Sequence, residues 1–237
     1  MSRETQKDLT NLIAFINDYK LSHLLPHDLF KAFISQQHKK YFSYLTFIAD
    51  LQNFINDSSF NSLINEKQFS FIKESCSDVG IAFFSTFHGS YKSSKLLLRS
   101  SIETFLKGYC LDELPNIDTE TSMFALFANV KALNTFQTEP SKKIINLIHQ
   151  KYKLLCADVH TATNLNMANI SALNYFPTYD NSDAQKISSF CLSLIPCYLT
   201  LMCLKYNNQY HRFHYKNKEI IIKSIPKEYR PAIHNIE

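Results

Sequence analysis

The chain has no tryptophan and only three glycines, Gly80, Gly89 and Gly108, in 237 residues. Phosphate-cradling loops and tight hairpin turns both need glycine, for positive φ or for close backbone approach. Neither GxGxxG nor GxxxxGK[ST] can be written anywhere, which excludes Rossmann and P-loop nucleotide binding at the level of motif. Arginine is nearly as scarce: Arg99 is the only one between Arg3 and Arg212. The six cysteines form no CxxC pair and mostly fall in apolar helical patterns, so they read as small thiols of a reducing compartment rather than a disulfide frame. A long membrane-spanning run is missing too. The most apolar stretch, Phe190 to Leu204, covers about 15 residues against the ~20 needed, and Pro196 interrupts it. With a first decade too polar for a signal peptide, the expectation is a cytoplasmic protein with no membrane partner.

What is present is helical periodicity over a composition that is 45% hydrophobic, enough for a substantial core. Leu9, Leu12, Ile13 and Ile16 start a first helix. A long one is expected from His27 to about Asp57, a third from Asn65 or Glu66 to His88, and a fourth from Tyr91 to Leu111. Shorter helices follow at Ser122–Leu133 and from Glu139-Pro140 to His160. A polar loop leads to a last long helix, from about Asp183 to Tyr210, with Ser182 or Asp183 as its cap. Ile220–Ile222 suggest a short strand or an extended arm. The predicted fold is all-α, a single helical bundle of about six to seven helices over 1–210 with a basic C-terminal extension over 211–237. In that extension and its approach, Lys205, Arg212, Lys216, Lys218, Lys223, Lys227 and Arg230 face only Glu219 and Glu228. Such a segment is either a solvated tail or a phosphate contact.

Two constellations carry chemistry. On the fourth helix, at 100° per residue, Leu98, Ile102, Phe105, Leu106 and Tyr109 share one side, while Ser100, Ser101, Thr104 and Gly108 face the other. Arg99 and Glu103 lie on the shoulder of the apolar face, with Lys95 nearby. They form either an i,i+4 ion pair or an anion site, the arginine supplying a planar fork of permanent charge. On the helix ending at His160, His149, Tyr152, Cys156 and His160 follow one edge at intervals of three, four and four. A helix C-terminus favours a protonated imidazole at His160. The spacing gives no convincing metal site, and no cofactor is expected.

The sequence Gly89-Ser-Tyr-Lys-Ser-Ser-Lys-Leu-Leu-Leu-Arg-Ser-Ser-Ile-Glu103, followed by Tyr152-Lys-Leu-Leu-Cys-Ala-Asp-Val-His160, resembles a pattern of helical bacterial proteins. In that pattern "LLRSxIE" precedes "YxxLxxxxH". The resemblance is to the HEPN superfamily and abortive-infection proteins, and it covers about a third of the chain, Gly89 to His160. It implies a helical, often dimeric protein of an anti-phage or toxin–antitoxin system, and in many members a metal-independent ribonuclease. The superfamily signature of an arginine followed by four to six residues and a histidine is absent after Arg99, where 104 to 106 are Thr, Phe and Leu. A catalytic site would therefore be composite. Arg99 would clamp the phosphate, and Glu103 and His160 would carry protons. Tyr152 and Lys95 would bind substrate. RNA or a nucleotide, a homodimeric partner and a partner protein of the same system are the partners implied. The alternative is a non-catalytic module that binds a partner protein or a nucleotide, the same polar residues tying two helices together.

Overall fold

The computed structural model describes residues 21–56, 64–159 and 177–234. Among these the chain is all-α, with no strand. The principal helices are α1 (Asp28–Asn56), α2 (Glu66–Phe87), α3 (Tyr91–Cys110), α4 (Met123–Ala132), α5 (Ser141–Val159) and α6 (Asn181–Lys205). Three short ones follow, α7 (Asn207–Arg212), α8 (Tyr215–Ser224) and α9 (Arg230–His234). The expected first helix around Leu9 to Ile16 lies outside the described residues, as does His160.

Local chemistry sets the helix ends. Asn65 caps α2 in a capping box: its side chain takes the Gln68 amide at 2.7 Å, and the Gln68 side chain takes the Asn65 amide at 3.3 Å. Asp180, rather than Ser182 or Asp183, caps α6, its carboxylate accepting from the Asp183 amide at 2.9 Å. Gly89 turns α2 into α3 with φ of 72°. A Cβ there would also meet the Thr178 carbonyl oxygen at 2.0 Å, so position 89 admits only glycine.

α3 is the central helix, in contact with α2, α4, α5 and α6. Leu98, Ile102, Phe105 and Leu106 are sealed in the core, as the periodicity predicts. Its opposite, small-residue face is buried as well. Ser94, Ser101 and Gly108 are buried against α2, and a Cβ on Gly108 would come within 2.9 Å of the Gln68 carbonyl oxygen. Small residues seven apart let two backbones approach, and the serines are satisfied within the hairpin. Ser94 donates to the Ala82 carbonyl at 3.0 Å and Ser101 to its own Leu98 carbonyl at 2.8 Å. From α2, Ser75 donates to the Ser101 carbonyl at 2.9 Å.

α6 continues past Pro196 without a break in the helix. Among the described residues it is the one helix long and apolar enough to cross a membrane, and 78% of its apolar window is buried inside the fold. Its apolar surface serves the core, as Phe105 stacked on Tyr198 with ring centres 4.1 Å apart illustrates.

The C-terminal segment differs most from expectation. Ile220–Ile222 are helical in α8, neither strand nor extended arm. Phe213, Ile221, Ile225 and Ile233 are buried in the same core as α3 and α6. Its cations are largely engaged: Lys218 donates to the His211 carbonyl, Lys223 pairs with Glu219, and Arg230 donates to the Ile225 carbonyl. Lys40 of α1 reaches the Ser224 carbonyl at 2.8 Å, so two cations sit at the negative end of α8. A free basic tail is therefore not what these residues form.

Candidate functional site

Arg99 and Tyr152 meet across the α3–α5 contact. The Arg99 Nε–H donates to the Tyr152 hydroxyl at 3.0 Å, and the guanidinium carbon lies 5.5 Å from the centre of the phenol ring. Arg99 is half-buried, while Tyr152 is only 8% exposed. Burial, with a hydrogen bond to Cys156, pushes the Tyr152 phenol up to about 12, against the pull of Arg99. It stays neutral and serves as a fixed acceptor. The hydrogen bond that Arg99 donates to Tyr152 in turn raises the Arg99 pKa above its ordinary value.

Glu103 is not the partner of Arg99. Its carboxylate accepts from Lys107 Nζ at 2.8 Å, and Lys107 is itself buried on α3. The reason is order along the helix: glutamate before lysine at i,i+4 is the favourable orientation, arginine before glutamate the weaker one. Among the described residues no carboxylate is within ion-pair distance of Arg99, and no acceptor takes its Nη atoms. Lys95, one turn earlier, is half-buried and engaged. The structure thus joins Arg99 to Tyr152, diverts Glu103 to Lys107, and leaves the His160 assignment outside the described residues.

Beside this pair lies a second group. Phe127 of α4 stacks on His149 with ring centres 4.2 Å apart, and it also touches Tyr152 at 5.4 Å. Lys131, one turn on from Phe127, places its Nζ 3.0 Å from His149 Nδ1. That contact makes Nδ1 the acceptor, so the imidazole is neutral with its proton on Nε2. Burial, then Lys131, then Lys153 hold the His149 pKa below its usual range, and burial with Lys153 lowers that of Lys131. Among the described residues, no three His, Cys, Asp or Glu side chains are grouped to hold a metal ion.

Comparison with protein-family models, curated proteins and solved structures finds no match to this chain. The site must be read from its own chemistry.

Sequence reasoning passed over Lys131, Lys153 and Phe127. His149 and Tyr152 were visible as neighbours on one helical edge, but a lysine from another helix leaves no trace in spacing. The only signal was the Phe127–Lys131 interval of four, which puts both on one side of α4. A cavity of about 350 Å³ lies elsewhere, at the far end of α3, between Tyr109, Asp112, Glu113, Ser141 and Lys205. It shares no lining residue with the Arg99 group.

Proposed function

We propose that this chain is a HEPN-like helical module of a bacterial anti-phage or toxin–antitoxin system that binds the phosphate of an RNA or nucleotide through Arg99. One observation carries the reading: Arg99 is oriented by a neutral hydroxyl rather than neutralised by a carboxylate, and its Nη edge meets no acceptor among the described residues. A guanidinium fixed through Nε presents two parallel N–H donors, which is the geometry that phosphate oxygens accept. Were its role to tie the helices together, a carboxylate would be the expected partner, and Glu103, one turn away, is spent on Lys107 instead.

The test is binding of a labelled single-stranded RNA and of a nucleoside triphosphate at two salt concentrations, wild type beside Arg99→Ala. Loss of at least about tenfold in affinity and a shallower salt dependence, with the melting temperature held within a few degrees, supports phosphate binding. Equal binding by both proteins refutes it.

A metal-independent ribonuclease is the second reading, favoured by the convergence of Arg99 and Tyr152, two of the residues assigned to the composite site. It now draws on Arg99 as clamp and Tyr152 as donor, with the proton carried by a histidine, because Glu103 is committed to Lys107. RNA cleavage in the presence of EDTA, lost in Arg99→Ala and His160→Ala at equal soluble yield, distinguishes it from binding alone. A homodimer or a partner protein of the same system would share this surface.

A further inference from the structure

Lys131 contacts the His149 imidazole and Lys153 follows His149 by one helical turn on α5, and among the described residues no carboxylate pairs with this group. Several lysines elsewhere in the fold are matched to a carboxylate, Lys67 to Asp118, Lys143 to Glu228, Lys186 to Asp183 and Lys205 to Asp112, and others to backbone carbonyls, as Lys40 and Lys218 are. Lys131 instead donates to a neutral ring nitrogen, a weaker acceptor for an ammonium than any carboxylate. The group is also rigidly mounted. His149 is clamped by Phe127, and Phe127 touches the same Tyr152 that holds Arg99. One aromatic pair therefore sets the position of Arg99 on one side and of the lysine–histidine group on the other. Two cationic points joined by one continuous set of contacts suit a ligand with two anionic groups.

We propose that Lys131, Lys153 and His149 form a second phosphate-binding point, so that the ligand gripped by Arg99 is one carrying two phosphates, as in a diphosphate or two successive nucleotides of a strand. This rests on the Arg99 reading and extends it. An oxyanion at the second point takes the Lys131 ammonium in place of the imidazole. His149 Nδ1 is then free to accept a proton, and the imidazolium becomes a further donor. The groups facing His149 are Lys131 and Phe127 from α4, Lys153 and Tyr152 from its own helix, and Arg99 of α3 through Tyr152. None is acidic, so the incoming anion is what raises its proton affinity, and binding strengthens as pH falls.

The experiment is calorimetric titration of the full chain with orthophosphate and with pyrophosphate near pH 7, in two buffers of different ionisation enthalpy. Wild type is expected to bind pyrophosphate about tenfold or more tightly than orthophosphate and to take up protons as it does so. Lys153→Gln, an exposed position on α5, should cut that preference severalfold. Lys131→Gln should abolish it, and His149→Gln should remove the proton uptake. Equal affinities in the wild type, with orthophosphate binding still dependent on Arg99, overturn the second point and leave the first. An unchanged preference in Lys131→Gln and Lys153→Gln does the same. Orthophosphate binding that survives Arg99→Ala, or none in the wild type, overturns both.

Discussion

At two places along α3 a cation meets a tyrosine, and the two are built differently. At the C-terminal end Lys205 lies 4.7 Å from the centre of the Tyr109 ring, donates to the Tyr109 carbonyl and pairs with Asp112 at 2.6 Å. It satisfies an orphan carbonyl of the last turn and its charge is cancelled. Near the middle Arg99 lies 5.5 Å from the Tyr152 ring, takes a phenol oxygen as its only acceptor among the described residues, and keeps its charge. The same pairing of cation and ring is thus a helix cap in one place and a presented donor in the other. What separates them is the carboxylate, not the aromatic contact.

Four substitutions sharpen or break that contrast. The largest effect is expected from Lys205→Ala. It strips the cap from a buried carbonyl and leaves Asp112 without its partner, so it should cost about 2 kcal/mol in denaturant unfolding, with Arg99-dependent ligand binding unchanged. Arg99→Ala should show the reverse: about 1 kcal/mol or less of stability, and at least about tenfold, or 1.4 kcal/mol, of phosphate affinity. If the two losses exchange places, the assignment of roles is wrong. Tyr152→Phe removes the acceptor but keeps the ring. Stability should move by about 1 kcal/mol, and affinity should fall a fewfold as the guanidinium loses its orientation. The smallest effect concerns Asp78, a buried carboxylate between α2 and α3 whose Oδ2 has no partner among the described residues. Burial raises its pKa, opposed by Ser100 and aided by Glu74. A folded-state value above the unfolded one means the native state binds the proton more tightly. Stability therefore falls as pH rises from the ordinary carboxylate range through the raised value. Asp78→Asn should flatten that fall and leave the protein slightly more stable at neutral pH, read from melting temperatures across pH 3 to 8.

Much of the fold was legible because long amphipathic helices announce themselves. The apolar residues of α3 and the boundaries of α1, α2 and α3 follow from periodicity, and Gly89 marks its turn. The misreadings have a common cause, namely tertiary contact that hydropathy does not encode. Ser101 and Gly108 fall opposite the apolar stripe because they are polar or small, and periodicity gives no sign that this smallness is what admits α2. Ile220–Ile222, three β-branched residues in a row, suggest a strand until α1 supplies a helical surface to pack on. In the site, Arg99 and Tyr152 were both legible on the flanks of core faces, but their direct pairing, with Tyr152 as the acceptor, was not. The diversion of Glu103 to Lys107 follows from the helix-orientation rule that favours glutamate before lysine over arginine before glutamate. The Lys131–His149 contact joins two helices separated by a loop and a short turn, so no interval within either helix could reveal it.

The hairpin of α2 and α3 also bears on how the chain reaches its fold. Its partners are close in sequence, joined through Gly89, and its serines find acceptors within the two helices themselves. Contacts of short sequence separation form before those that must close long loops. The pair is therefore poised to assemble first, and substitutions such as Gly108→Ala should slow refolding, whereas changes at the contacts of α8 with α1 should chiefly speed unfolding. Arg99 would then be mounted on the earliest structured element of the chain, waiting for α5 to bring Tyr152 to it.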